Sequence, residues 1–200
     1  MKLTVQTFLT LDGVMQSPGK PEEDPRGGFT HGGWQFPLVD DDTVRIITGA
    51  MANADALLLG RTTYEIFAGH WPHVTDEGDA IAARLNAMPK YVVSTTLNSL
   101  GWHNSTLIRD NLAGGIAELK AQPGNEVQVH GSGKLAASLL AYDLVDEYRL
   151  WIHPVVLGSG QRLFTDAKPL GLRLTDVTTT GGGVIVASYR PTGAPRYGSF

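Results

Sequence analysis

Apolar positions along this chain follow two rhythms, and the alternation between them predicts its elements. Leu3 to Leu9 is rich in β-forming residues and runs into Asp12-Gly13, which marks a first strand ending in a turn. Val44, Ile47, Ala50 and Met51 build one helical face behind Asp40, Asp41 and Asp42, acids suited to the positive end of a helix dipole. Ala54 to Leu59 is an apolar run too short for a helix and predicts a buried strand ending at Gly60. Ile81, Leu85 and Met88 give the next helix, stopped by Pro89, and Tyr91 to Thr95 the next buried strand. Downstream, Leu112, Ile116 and Leu119 mark a helix closed by Pro123-Gly124, Val127 and Val129 a strand, and Leu135, Leu139 and Leu140 a further helix.

Strands alternating with helices predict right-handed βαβ units, hence a single-domain α/β fold with a mainly parallel twisted sheet and flanking helices. The rhythm changes near the end. Tyr148 to Val156, Leu172 to Thr179 and Val184 to Tyr189 read as strands with no helix between them, the last two joined by Gly181-Gly182-Gly183. An antiparallel C-terminal hairpin at one sheet edge follows. The domain is expected over residues 1–191, with 192–200 a frayed tail.

From Gly13 to about Asp40 the chain is punctuated by glycine and proline yet carries Phe29, Trp34 and Phe36. Loops of this length inside compact domains are functional walls or coverings. Two readings stand: a substrate-side loop with Trp34 and Gln35 as substrate contacts, or a surface excursion whose aromatics cover the core.

Composition removes several function classes. Two hundred residues suit one domain, and a net charge of -4 without a basic stretch argues against a nucleic-acid face. The absence of cysteine excludes disulfides, thiolate nucleophiles and Cys-ligated metals. The N-terminus reads directly into a strand, and no apolar run approaches the roughly twenty residues of a membrane span, so a cytoplasmic protein without a membrane partner is expected. His70 and His73, followed by Asp76, Glu77 and Asp79, have metal-compatible spacing, but Pro72 lies between them and no third ligand is fixed. A solvated loop and no metal is the expectation. There is neither a G-x-S-x-G elbow nor a Walker lysine pattern.

Three predicted turns at strand ends carry chemistry, since open parallel sheets bind ligands outside the carboxyl ends of their strands. The first is Gly60, Arg61, Thr62 and Thr63; the second is Ser94, Thr95 and Thr96; the third is Gly131, Ser132, Gly133 and Lys134, ahead of Leu135. Glycine lets backbone approach a phosphate, and Arg61 offers a forked cation. The hydroxyls of the second turn read either as phosphate or ribose contacts or as plain turn residues. With Ala136 the third turn matches the loose pattern G-x-G-x-x-A, but the ribose-binding acid expected about twenty residues on is missing where the chain reads Leu150-Trp151-Ile152-His153. A conventional Rossmann domain is disfavoured.

Gly60-Arg61-Thr62-Thr63-Tyr64-Glu65 resembles the G-R-x-T-x-E turn of dihydrofolate reductases, and Gly131 to Lys134 resembles their later glycine-rich turn. Leu11-Asp12-Gly13, His153-Pro154-Val155-Val156-Leu157-Gly158-Ser159-Gly160 and Leu163-Phe164 are similar to the reductase domain of bacterial riboflavin synthesis. The resemblance spans about Lys2 to Arg190. It implies a dihydrofolate reductase-like sheet, NADPH held by the three turns through Leu135, a homodimer, and hydride transfer to a small pterin- or ribosylaminopyrimidine-like heterocycle. The phosphoribosyl-binding stretch of true riboflavin reductases is not recognisable in Ile66-Phe67-Ala68-Gly69-His70-Trp71. Hydride transfer can require a proton donor, for which Asp12 and Asp40 are the catalytic candidates; the alternatives are an Asp-Gly turn and a helix cap. The alternative function is a nucleotide-binding or sensing protein that keeps the cofactor cleft without efficient catalysis.

Overall fold

β1 (Lys2–Thr10) lies inside an eight-stranded sheet, between the parallel strands β5 (Glu126–His130) and β6 (Glu147–His153). The computed structural model describes residues 1–76, 78–165 and 167–199. β2 (Ala54–Gly60), β3 (Lys90–Val93) and β4 (Ser105–Ile108) continue the parallel set beyond β5. β7 (Gly171–Thr179) and β8 (Ile185–Gly193) form an antiparallel hairpin on the far side of β6. The order is β4-β3-β2-β5-β1-β6-β8-β7, so the chain winds outward in both directions from its first strand.

Helices cover the two faces of the sheet because its strands are apolar on both. α4 (Leu112–Ala121) and α5 (Gly133–Ala141) bury Ile116, Leu119, Leu135 and Leu139 against Leu3, Val5, Val127 and Val129. On the other side, α1 (Asp41–Ala52) and α3 (Ala80–Ala87) pack Met51, Leu85 and their neighbours onto Leu57, Leu59 and Val92. Each such leucine contributes roughly 1.5–3 kcal/mol of transfer free energy. The short helix α2 (Arg61–Ala68) follows β2 without an intervening loop.

The expected α/β architecture and C-terminal hairpin are present, with three differences in detail. β4 was not expected: it has four residues, none fully buried, and so lacks the apolar run that marks a strand. β6 stops at His153 rather than Val156, because Pro154 has no N–H to donate. β8 runs to Gly193, which pairs with Gly171; Pro191 sits at a register shift with β7, beyond the residues of β8 that pair with β6.

The long loop after β1 carries its own small core. Val14, Phe29 and Trp34 are buried together, and the Trp34 indole donates to the Gln16 carbonyl at 2.8 Å. Gly160 seals this cluster from outside: at φ +118 it occupies backbone space that favours glycine, and a Cβ would meet Val14 and Phe29 at 2.7 and 2.8 Å.

Lys90 is fully buried at the start of β3. Its ammonium donates to the carbonyls of Leu85 and Asn86 at the end of α3 and lies 4.2 Å from the Trp102 ring centroid. Desolvation lowers its pKa from 10.5 to about 8. The folded chain thus releases this proton earlier than the unfolded one, so the penalty for burying the charge is full below about pH 8 and relieved as pH rises toward 10.5. Urea unfolding is expected to show wild type gaining stability relative to Lys90→Met between pH 7 and pH 10. A difference that stays constant over this range contradicts the assignment.

Candidate functional site

The carboxyl ends of β2, β3 and β5 open onto one cavity of about 1070 Å³, and all twelve residues of the three sequence-predicted turns line it: Gly60 to Thr63, Ser94 to Thr96 and Gly131 to Leu135. The first and third turns are welded together. Gly60 N–H donates to the Ser132 hydroxyl, Ser132 N–H donates to the Thr63 hydroxyl, both at 3.0 Å, and the Ser132 hydroxyl donates to the His130 carbonyl at 2.8 Å. Thr63 and Ser132 therefore spend their hydroxyls on holding the turns in register. Gly131 lets the chain make this approach: it sits at φ +53, where a Cβ would press on the Thr63 hydroxyl at 3.3 Å.

Helix caps separate the cavity-facing helices from the rest. α1, α3 and α4 are capped by the side chains of Asp40, Asp79 and Asn111. α2 and α5, which start at the cavity, have no side-chain cap. Their first-turn N–H groups point out of a positive dipole end and suit an anion. Cations surround them. Arg61 pairs with Glu65 at 2.8 Å and donates to Thr96 at 2.8 Å, which ties the first turn to the second. Arg26, forked onto Asp24, reaches across from the long loop to Thr62 at 3.2 Å, and Lys134 stands exposed beside the third turn. Lys20 meets His70 Nδ1 at 3.1 Å and supplies a second link between the long loop and the opposite wall. Desolvation, with Lys20 beside it, lowers the His70 pKa below its ordinary value.

Deeper in, the walls become apolar, with Phe8, Ile47, Met51, Phe67, Ile81 and Leu85 among the lining side chains. Gln6 and His130 are the polar exceptions on the central strands, together with Thr7. His130 lies edge-on to Phe67, and burial holds its imidazole neutral by lowering its pKa to about 4.

Of the remaining expected site residues, Gln35 lines the cavity, while Trp34, Asp12 and Asp40 do not. Trp34 is committed to the loop core and to an edge-on contact with His153. Asp12 accepts from Thr10 and from the N–H groups of Leu157 and Gly158, which hold its carboxylate well below the usual range, and it also accepts from Arg162, pinning the loop before Gly160. Asp40 caps α1 through Thr43 and accepts from Gly182 N–H at 2.7 Å, with the same lowering effect. Both carboxylates act as anchors outside the cavity. Glu23, Asp24 and Glu65 are acids in its lining, and desolvation pushes Glu23 upward. Gln6, Lys20, Arg26 and His130 also line the cavity, outside the motifs of the three turns. For His130 a signal was available, since Glu126, Gln128 and His130 alternate with Val127 and Val129 in a strand buried on both faces. His70 lines the cavity; Glu77, in the same stretch, falls outside the described residues.

Sheet order, antiparallel edge and cavity define an α/β protein of the dihydrofolate reductase-like fold. Within that class the chain belongs to the RibD C-terminal domain family, whose profile matches residues 1–186. It is 31% identical over 195 residues to the uncharacterized protein YyaP of Bacillus subtilis (strain 168), covering 96% of each chain. The crystal structure of a protein from Shewanella sp. PV-4, provisionally assigned to riboflavin biosynthesis, superposes with a TM-score of 0.68 at 23% identity over 96% of this chain and 99% of that one. A diaminohydroxyphosphoribosylaminopyrimidine deaminase/5-amino-6-(5-phosphoribosylamino)uracil reductase from Thermotoga maritima matches with a TM-score of 0.62 at 13% identity, covering 95% of this chain and 56% of that protein. These last two likenesses are of fold.

Proposed function

We propose that this protein is a cytoplasmic NADPH-dependent reductase that passes a hydride to a small pterin- or ribosylaminopyrimidine-like heterocycle, in chemistry related to riboflavin biosynthesis. The observation that carries this reading is the convergence of three turns, two uncapped helix starts and several cations on a single cavity. The donor set fits the cofactor: backbone N–H groups of α2 and α5 for a diphosphate, and Arg61 with Thr96 and Lys134 for a further phosphate. NADPH, when bound, supplies the hydride. The chain's own part is to hold the phosphates, to offer an apolar interior that excludes water from the reacting rings, and to fix the substrate ring against the floor of the sheet.

The family and the reductase named among its fold relatives support the same direction. The test is loss of NADPH absorbance with a panel of pterins and ribosylaminopyrimidines. Steady oxidation with at least one is expected; tight cofactor binding with no turnover on any of them would instead favour the sensing protein.

The long loop forms one wall of the cavity through Gln16 to Glu23, Arg26 and Gln35. Among the described residues, two side-chain hydrogen bonds link it to the opposite wall, Arg26 to Thr62 and Lys20 to His70. Hydrogen exchange over residues 13–39 is expected to be faster than in the sheet and to slow on adding NADPH; protection equal to the strands in both states contradicts this.

Residues 1–191 are taken as the reductase domain, and its assembly as a homodimer. β7 is the outer strand of the sheet, and Leu172, Leu174 and Val177 on it are exposed with Ile185 of β8. A long apolar edge strand of this kind calls for a covering surface. Light scattering at micromolar concentration is expected to give twice the chain mass, and a monomer overturns the assignment.

A further inference from the structure

Beneath the cavity floor, one face of the central strands carries an unbroken polar network. Register pairs Gln6 of β1 with His130 of β5 on one side and with Arg149 of β6 on the other, so these side chains share a face. Arg149 donates to the Gln6 amide oxygen at 3.2 Å and to Glu126 at 3.1 Å. Gln128 donates through its amide nitrogen to Glu126 at 2.8 Å and to the Ala50 carbonyl at 2.9 Å, and its oxygen lies 2.9 Å from His130 Nε2.

This network fixes the polarity of the two groups above it. A guanidinium only donates, so the Gln6 oxygen must face Arg149 and its NH₂ is turned the other way. A carboxylate only accepts, so the Gln128 NH₂ must face Glu126 and its oxygen must accept from His130 Nε2–H. A neutral imidazole then has Nδ1 left as an acceptor. Neither the Gln6 NH₂ nor His130 Nδ1 has a partner among the described residues, neither is sealed from solvent, and both residues line the cavity.

We propose that Gln6 and His130 form a donor–acceptor pair that recognises a lactam edge, a ring N–H beside a ring C=O, on the substrate heterocycle. His130 Nδ1 accepts from the ring N–H and the Gln6 NH₂ donates to the carbonyl. Adjacent strands stand about 4.8 Å apart, a separation that suits two hydrogen bonds splaying outward from neighbouring atoms of one ring. A site built to pair both groups discriminates strongly against a ring lacking the N–H, because His130 would be left facing a methyl group. This inference rests on the heterocycle reductase reading and narrows its substrate class.

The experiment is calorimetric binding of lumazine and of 1,3-dimethyllumazine, in the absence of cofactor so that it reads out whether or not NADPH binds. Wild type is expected to bind lumazine at least tenfold more tightly than the dimethyl compound. His130→Phe, which keeps the edge-on packing against Phe67, and Gln6→Leu should each reduce that preference below threefold. Nitrogen-15 spectra of histidine-labelled wild type at pH 7 should show His130 protonated at Nε2 alone, with Nδ1 shifting when lumazine is added. Equal binding of the two compounds, no lumazine binding at millimolar concentration, or a preference unchanged in a folded His130→Phe protein would each overturn the proposal. NADPH affinity, measured separately, tests the reductase reading: its loss with lumazine selectivity intact would sink that reading and leave this one standing.

Discussion

Replacing Arg149 by leucine is expected to destabilise the protein by about 3 kcal/mol, the lower end of the range for breaking a buried ion pair. Arg149 is the donor that faces Glu126, Glu147 and Gln6 at once, and the two carboxylates are almost fully buried, with side-chain exposures of 4% and 8%. Without it they would sit in a low-dielectric interior with less compensation, and an unpaired buried charge costs far more than an absent pair contributes. Lys2 keeps contacts of 3.1 and 3.0 Å to these same carboxylates, which holds the loss to the lower end. For a chain of this length the effect is about 6–12 °C in Tm. Adding Glu126→Gln to Arg149→Leu should recover part of the loss, since it removes the stranded charge. A single variant that melts within 2 °C of wild type, or a double variant worse than the sum of its parts, would show that the network is not the structural base of the floor.

Arg61→Ala is expected to weaken NADPH binding about tenfold while changing NADH binding less than twofold. Arg61 is half exposed and already engaged: Nε contacts Glu65 and one terminal nitrogen contacts Thr96, which leaves the other without a partner among the described residues. One remaining charge-assisted hydrogen bond to a phosphate is worth about 1.5 kcal/mol at the low end, or roughly a factor of ten. The selectivity arises because only NADPH carries the additional phosphate. Titration of both cofactors against wild type and variant reads the effect directly. An equal loss for both would place Arg61 on the shared diphosphate instead.

The fold was legible because its long apolar stretches are unambiguous in period. Ala54 to Leu59 and Tyr91 to Val93 are too short and too apolar for anything but buried strands, while Val44, Ile47 and Met51 keep helical spacing behind a capping aspartate. β4 was illegible because Ser105–Ile108 owes its pairing to β3 alone. The three turns were legible because glycine, hydroxyl and cation recur where strands end. Asp12 and Asp40 have the residue type and position expected of a proton donor, and their hydrogen bonds turn them toward the backbone of Leu157, Gly158 and Gly182. Only tertiary structure decides that. The polar floor was half legible. The alternation Glu126, Gln128, His130 is visible in one strand, but its meaning depends on Gln6 and Arg149, which register alone brings alongside.

Calorimetric titration of the unmodified protein with NADPH and NADH is the most direct measurement of the central claim. One NADPH per chain, held at least tenfold more tightly than NADH, is the predicted result. Equal affinity for the two cofactors, or no binding of NADPH at millimolar concentration, would contradict it.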